Sequence, residues 1–358
     1  MGSIKPIRWG VLGSGWVAQH FLADLKSVDG CEAIALASRS DSRAHSVATE
    51  FGVRRSYGSY EALAADPEVD VIYIASEHHE HARHCLLALS SGKHVLCEKP
   101  FATSLAEASE VAVAAQSAGL FCMEAMWSRF LPAMQEAKRL IDAGTIGAST
   151  MLTADFSVPA FDDGNSRFFD PARGGGALLD RGVYAVSLAT WLFGKPVEVV
   201  ARAERHALGA DKTVAAIMRF ADERLAIVTA SLGGYSSNQA VVAGTKGRIV
   251  LHEPFYRPER ISVRRVTVGP AQSGTDLNLH SVRERVRRLV AVAKPYLPVD
   301  FLRADVRRYP ILGYGYRYEA AEVARCLREG LRESPVMPLR DTLLTMATID
   351  QIRVGFSL

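Results

Sequence analysis

WGVLGSGWVAQHF, Trp9 to Phe21, runs from an apolar strand-like segment through glycines into a stretch of helical spacing. Within it, Gly13-x-Gly15-x-x-Ala18 follows the strand and opens the helix. Each small residue there has a physical reason. The first glycine permits a tight turn, the second lets backbone approach a pyrophosphate, and the third small residue lets helix pack close on strand. Free N–H groups at the helix N-terminus, where Trp16 and Val17 begin it, would then face the anion. Glycine-rich turns also occur for purely structural reasons, so the surrounding pattern has to decide.

That pattern is strand and helix in alternation. Apolar runs of strand length lie at 7–13, 31–38, 69–76, 93–99 and 120–125, with helix-like stretches near 16–27, 42–51, 80–91 and 104–118. Several strands are apolar on both faces, as expected when helices cover both sides of a parallel sheet. The spacing predicts an α/β fold with an N-terminal Rossmann doubly wound parallel sheet over residues 1–125. From about Met126 the grammar changes. A helix (132–143), a strand (148–158), an irregular loop (160–176) and a helix ending near Gly194 lead into six consecutive strand-like segments with short turns. These predict a C-terminal α+β domain over 126–358, built on a large open, predominantly antiparallel sheet.

Composition bounds the rest. A chain of 358 residues, 48% hydrophobic, is long enough for two domains with their own cores. No apolar run approaches the ~18 residues of a membrane span. Residues 1–6, Met-Gly-Ser-Ile-Lys-Pro, lack a signal-peptide core, and Pro6 stands where myristoylation wants Ser or Thr. Five scattered cysteines without a Cys-x-x-Cys spacing fit reduced thiols, so a cytoplasmic protein is expected. The net charge of +3 conceals a basic segment: residues 257–308 carry +7 and the remainder −4.

The cofactor is read at the end of the second strand. An NAD site usually has Asp or Glu there to hold the ribose hydroxyls; this chain has Ser38-Arg39 instead, with Arg43 four residues on. A hydroxyl and guanidinium groups suit a 2′-phosphate, so NADP is expected. The chemistry is expected at two places. Glu98-Lys99-Pro100 ends the fifth strand, at the carboxyl edge where such sheets bind ligands. Far along the chain, a Gly174-Gly175-Gly176 run precedes Asp180 and Tyr184, four apart and so on one helical face, with Gly182 sparing space between them.

Together, Gly13-x-Gly15-x-x-Ala18, Ser38-Arg39, Glu98-Lys99-Pro100 and the Gly174 to Tyr184 run resemble the glucose-fructose oxidoreductase/inositol dehydrogenase (Gfo/Idh/MocA) family. Met123 to Phe130, Tyr184 itself, Tyr318-Glu319-Ala320 and Glu333 to Val336 make the chain most similar to its dimeric dihydrodiol dehydrogenase and NADP-dependent D-xylose dehydrogenase branch. The resemblance implies hydride transfer between NADP(H) and a secondary or anomeric alcohol of a pyranose sugar or cyclic trans-diol. It assigns acid/base chemistry to Tyr184, a hydrogen bond from Lys99 to the reacting oxygen or the tyrosine, and substrate orientation to Asp180. It further implies substrate contacts at His81, Trp127, Arg129 and Arg167, cofactor contacts at Glu98 and Lys99, a cis Lys99–Pro100 bond, and a homodimer or higher homo-oligomer formed through the C-terminal sheet.

Departures bear on the substrate. Glu77 replaces a proline that usually shapes the loop beside the nicotinamide, and Arg181 stands where the branch has an apolar residue, which would favour an anionic or highly polar substrate. His78, His79, His81 and His84 are read as a polar loop entering a helix, with no metal expected. Ser281 to Lys294 spaces Val282, Val286, Leu289, Val290 and Ala293 on one helical face and arginines on the other. It is read as a surface helix packed on the domain or a partner subunit, and neither nucleic acid nor membrane is expected as a partner. Two other functions stay open: a biosynthetic ketoreductase of a nucleotide-linked or anionic sugar, and an NADP-binding regulator without turnover.

Overall fold

The computed structural model describes residues 6–164, 166–266 and 305–357; the helix expected at 281–294 lies outside them. In the first sheet, β1 (Ile7–Leu12) sits near the centre. It is flanked by β2 (Cys31–Ala37) and β3 (Arg55–Tyr57) on one side, and by β4 (Val71–Ile74), β5 (His94–Glu98) and β6 (Cys122–Ala125) on the other. The order is β3-β2-β1-β4-β5-β6 and every pairing is parallel. The chain reverses its winding between β1 and β4, which opens a crevice at their carboxyl ends.

Helices α1 (Trp16–Leu25), α2 (Asp41–Phe51), α3 (Tyr60–Ala64), α4 (His81–Ser90) and α5 (Leu105–Ala118) connect these strands. Sequence chemistry sets their ends. Ser40 and Ser104 hydroxyls accept the Arg43 and Glu107 N–H groups at 3.3 Å, and left-handed Gly52 and Gly119 terminate the same two helices. All five expected strands and four expected helices of this half are present. The short β3 and α3 were not anticipated, because three and five residues are too few to display a period.

The second half contains α6 (Pro132–Asp142), β7 (Ser149–Ser157), a π turn at Leu178–Gly182 leading into α7 (Val183–Phe193), and strands β8 (Pro196–Arg205), β9 (Asp211–Phe220) and β10 (Leu225–Ser231). There follow β11 (Ala240–Gly244), β12 (Gly247–Leu251), β13 (Arg260–Arg265) and β14 (Asp305–Arg308), then helices α8 (Tyr316–Arg328) and α9 (Leu339–Val354). The eight strands run β14-β13-β12-β11-β7-β10-β9-β8. Only β7 and β10 pair in parallel, because β7 enters from the earlier helical segment and inserts between two later hairpins.

One face of this sheet packs on α7, which is buried nearly all round, and on α9 beyond it. Ala216, Met218, Ala226, Val228 and Ala230 point to that core. The opposite face carries a row across neighbouring strands, Val200 opposite Ile217 opposite Ile227, exposed by 52%, 49% and 38%. Val241 continues the row through Thr153. Ile249, which alternation alone would group with them, pairs with buried Val242 and is itself buried.

A carboxylate ties the C-terminal helices to the first sheet's layer. Asp24, buried at the end of α1, accepts backbone N–H groups from Tyr314 (2.9 Å), Gly315 (2.8 Å), Tyr316 (2.9 Å) and Arg317 (3.3 Å), and so caps α8 from a distance of about 290 residues in sequence. Each bond is charge-assisted, and the helix N-terminus favours the anion. Asp24→Ala should therefore cost about 3 kcal/mol, because it strands several buried donors, whereas Asp24→Asn should cost about half as much. Urea unfolding of both variants measures this; an Asp24→Ala midpoint equal to wild type would show that α8 docks without the cap.

Candidate active site

A cleft of about 970 Å³ opens at the carboxyl ends of β1, β2, β4 and β5. At one end lies the glycine turn. Gly13 has φ of +121°, and a Cβ there would stand 2.4 Å from the Ala75 carbonyl oxygen, so the turn presses directly on the end of β4. Beside Gly15 the space is open, and α1 begins with no side-chain cap and no acidic residue in its first turn. Trp16, 70% exposed, and Val17 line the cleft, while Ala18 is fully buried between helix and sheet. An uncapped helix N-terminus with open space before it fits a pyrophosphate.

Ser38, Arg39 and Arg43 line the same end. The Ser38 hydroxyl oxygen accepts from Ser14 at 3.0 Å, and Arg43 reaches back to donate to the Ser14 carbonyl at 3.4 Å. Arg39 is highly exposed, with Nη2 3.3 Å from Glu77. Glu77 also accepts from Arg173 Nε at 2.9 Å, and these arginines, Arg173 foremost, hold its carboxyl below the usual range. The departure at Glu77 thus has a structural consequence: in place of a proline bend, an ion-paired bridge spans from the β2 loop to the loop before α7.

Lys99 stands at the other end. The Lys99–Pro100 bond is cis. Lys99 Nζ donates to the Asp180 backbone carbonyl at 3.1 Å and lies 4.9 Å from the centre of the Tyr184 ring. Burial pushes the Lys99 pKa down against the opposing pull of Asp180 and Glu98. Glu98 accepts from the Tyr73 hydroxyl, and burial lifts its pKa. For Asp180, burial acts upward, but Lys99, Arg181, His78 and Arg167 together hold the carboxyl below its ordinary value. Arg167 Nη2 is 4.0 Å from Asp180 Oδ1, and Arg181 Nε is 3.1 Å from Oδ2.

Two histidines line this end. His78 Nδ1 is 3.0 Å from the Gly174 carbonyl, which makes that nitrogen the donor and leaves Nε2 a lone pair, 3.9 Å from Asp180. His81 lies between the carbonyl oxygens of Pro100 (2.7 Å) and Ser76 (3.1 Å), only one of which a neutral ring can satisfy. Burial lowers His78 to about 3 and His81 to about 4, so both are neutral at pH 7. His84 is engaged with Ser76 Oγ at 2.8 Å, and among the described residues no group of three or more candidate ligands is arranged to hold a metal ion.

The triple glycine explains how these parts meet. A Cβ on Gly174 would lie 2.7 Å from His78 Cβ, one on Gly175 2.4 Å from the Arg167 carbonyl, and one on Gly176 2.3 Å from an Asp211 carboxylate oxygen. The loop bearing Arg167 and the turn bearing Asp180 can close on the histidine loop only without side chains there. Gly182 serves a different contact, against Leu178 and Ala230 of β10, and does not open the cleft.

Not every expected site residue reaches the cleft. Tyr184 lies behind it: its hydroxyl oxygen accepts from Trp127 Nε1 at 2.9 Å, its ring packs near Phe156 and Tyr256, and burial raises its pKa well above the ordinary phenol value. The π turn at Leu178–Gly182 alters the helical offset, so the i,i+4 pair Asp180 and Tyr184 is joined through Lys99 and does not present one shared face to the cleft. Trp127 stacks on Tyr316 in the same aromatic group. Arg129 is buried, donating to Asp341 (2.7 Å) and to Ser187 (3.1 Å) and lying over Trp191, and it is not part of the cleft lining. His78 and Phe168, by contrast, line the cleft without having been singled out for it; for His78, the small-residue run that must pack on something was the available signal.

A Rossmann crevice that ends in a partly buried lysine beside an aspartate fits an NAD(P)-binding oxidoreductase. The chain belongs to the Gfo/Idh/MocA family: residues 7–126 match its model "Oxidoreductase family, NAD-binding Rossmann fold", and residues 134–250 match its "GFO/IDH/MocA C-terminal domain". Trans-1,2-dihydrobenzene-1,2-diol dehydrogenase of Homo sapiens is 34% identical over 356 residues, covering 97% of this chain and 96% of the relative. Its Danio rerio counterpart is 32% identical over 351 residues, with the same coverage of 97% and 96%. A 3-ketoreductase from Actinomadura kijaniata, crystallised with NADP and TDP-benzene, superposes with a TM-score of 0.78 at 25% identity, covering 98% of each chain.

Proposed function

We propose that this protein is a cytoplasmic, NADP(H)-dependent dehydrogenase that exchanges hydride between the nicotinamide and a secondary or anomeric alcohol of a pyranose sugar or cyclic trans-diol. The observation that carries this reading is Lys99, partly buried at the sheet's carboxyl edge and held against Asp180 in the cleft. The relatives named trans-1,2-dihydrobenzene-1,2-diol dehydrogenase support the diol. In this reading Gly13, Gly15, Trp16 and Val17 hold the pyrophosphate, Ser38, Arg39 and Arg43 hold a 2′-phosphate, and the cofactor supplies the hydride acceptor or donor.

The proton is the protein's task. The family resemblance assigned it to Tyr184, but two observations favour Lys99: it lines the cleft where Tyr184 does not, and burial lowers its pKa while raising that of the phenol. For alcohol oxidation, neutral Lys99 accepts the hydroxyl proton; for reduction, its ammonium donates one. Tyr184 positions Lys99 through its ring face, anchored by Trp127. Asp180 and the His78 Nε2 lone pair accept hydrogen bonds from neighbouring substrate hydroxyls, and this orients the ring.

An absorbance screen at 340 nm with NADP+ and NAD+ against aldoses, cyclitols and trans-diols tests the function. Once a substrate is found, Lys99→Met should lower kcat by at least ~10²-fold, and Tyr184→Phe by less, roughly tenfold. Oxidation should rise with pH as Lys99 deprotonates, with its midpoint below the ordinary lysine value of ~10.4, and Lys99→Met should abolish that limb. Wild-type turnover in Lys99→Met would return the role to Tyr184.

The cofactor preference has its own test. Arg39→Asp combined with Arg43→Ala should weaken NADP(H) by about 10²-fold, through lost charge-assisted phosphate contacts, and leave NAD(H) nearly unchanged. Equal losses for the two cofactors would refute the 2′-phosphate assignment.

The proposed assembly is a symmetric homodimer through the exposed row of Val200, Ile217 and Ile227, continued past Thr153 by half-buried Val241, an apolar face that water would disfavour. Sedimentation at micromolar concentration should give a dimer for wild type and a monomer for Ile217→Lys with Ile227→Lys; a wild-type monomer would sink it.

The likeness to the 3-ketoreductase favours a second reading, reduction of a nucleotide-linked ketosugar, which such a substrate in the same absorbance assay would reveal. A regulator without turnover has no use for Lys99 and Asp180 joined in the cleft.

A further inference from the structure

We propose that Arg167 and Arg181 form an oxyanion subsite beside Lys99, so that the preferred sugar or diol carries a carboxylate or phosphate group away from its reacting carbon. The inference rests on the dehydrogenase reading for its substrate, but the subsite itself is argued from charge and geometry. Arg181 follows Asp180 directly in the π turn. Its Nε is near Asp180 Oδ2 yet buried without a hydrogen-bond partner, and its guanidinium lies 4.9 Å from the Phe156 ring centre and 5.8 Å from that of Phe168. Arg167 approaches the other oxygen of the same carboxylate and lies 4.3 Å from the Phe168 ring centre. Phe168 and Arg167 line the cleft.

Two guanidinium forks therefore converge on one carboxylate and one aromatic ring. Arg167, its side chain 34% exposed, lines the cleft, while Arg181, 20% exposed, is not part of the lining and stands against Asp180, which is. Aromatic faces hold guanidinium planes in place without consuming their N–H groups, which stay free for a planar oxyanion.

The charges do not balance without a ligand. Lys99, Arg167 and Arg181 bring three positive charges to one Asp180, and the two histidines are neutral. With Lys99 protonated the surplus is two with Glu98 protonated and one with it ionised, and each falls by one when Lys99 is neutral. A neutral polyol could accept from the guanidinium donors but would leave that surplus charge uncompensated in a partly desolvated cleft, which is costly. A carboxylate or phosphate accepts both forks and removes the imbalance. The arginines at the glycine turn belong to the other end of the cleft.

Calorimetric titration of the NADP+-loaded protein distinguishes the sources, using a hexuronic acid, a hexose phosphate and the neutral parent hexose. At least one anion should bind roughly tenfold or more tightly than its neutral parent, and the stronger of the two names the group. Arg181→Leu should remove that advantage with the neutral sugar nearly unchanged, and Arg181→Lys should keep part of it, since it retains charge but loses the fork. Equal binding of anions and parent by wild type overturns the subsite, as does an advantage that survives in both Arg181→Leu and Arg167→Leu. Turnover of neutral diols without anion preference overturns the subsite and leaves the dehydrogenase intact. Conversely, an anion advantage lost in Arg181→Leu, with no alcohol oxidised, supports the subsite and overturns the dehydrogenase reading.

Discussion

A lysine ammonium taken out of water must be compensated, and the arrangement around Lys99 does this with groups from both halves of the chain. Glu98, its own neighbour, adds an opposite charge; the Asp180 carbonyl accepts a hydrogen bond from it; the Tyr184 ring offers its negative face. Removing these partners would leave a partly desolvated cation, so the meeting of the end of β5 with the π turn before α7 is favoured. That meeting fixes the reacting end of the cleft. The same burial that demands compensation also lowers the ammonium's pKa, so one constraint both joins the chain's two halves and tunes a group for proton transfer.

The close approach has a steric side as well. Gly174, Gly175 and Gly176 touch His78, the Arg167 carbonyl and the Asp211 carboxylate at distances that no side chain would allow. Asp211 in turn accepts the Leu178 N–H at 2.7 Å, and this anchors the start of the π turn to β9. Polar anchoring and missing side chains thus act on the same loop, one pulling it in and the other letting it arrive.

What the sequence made legible follows from the range over which each signal acts. The parallel sheet was readable because apolar runs of strand length are local, and the glycine turn because its spacing is local. Long-range choices were not: nothing in Ser149–Ser157 says that β7 will insert between β10 and β11, and nothing near Asp24 says that it will cap a helix some 290 residues away. Among the expected site residues, Lys99 and Asp180 come together in the cleft, and the motifs that pointed to them are compact. Arg129 was misread as a cleft residue because a charged side chain beside an aromatic motif looks the same whether it faces substrate or, as here, Ser187 and Asp341. Tyr184 was placed on Asp180's face by a spacing of four, which holds for an α-helix but not across a π turn.

The cleft has two cationic ends with a carboxylate bridge between them. Arg39 and Arg43 stand by the glycine turn, Lys99 and Arg167 by the chemistry with Arg181 against Asp180 outside the lining, and Glu77 is ion-paired to Arg39 on one side and Arg173 on the other. Arg39 is largely exposed and its contact with Glu77 is long, so solvent screens the pair and a phosphate would compete for the guanidinium on favourable terms. The Arg173 contact is shorter and more sheltered, so Glu77 keeps a partner when Arg39 turns away. The loop is held here by a charge whose two partners differ in strength. It is this difference that would let Arg39 leave for a ligand while the loop bearing His78 and His81 keeps its position.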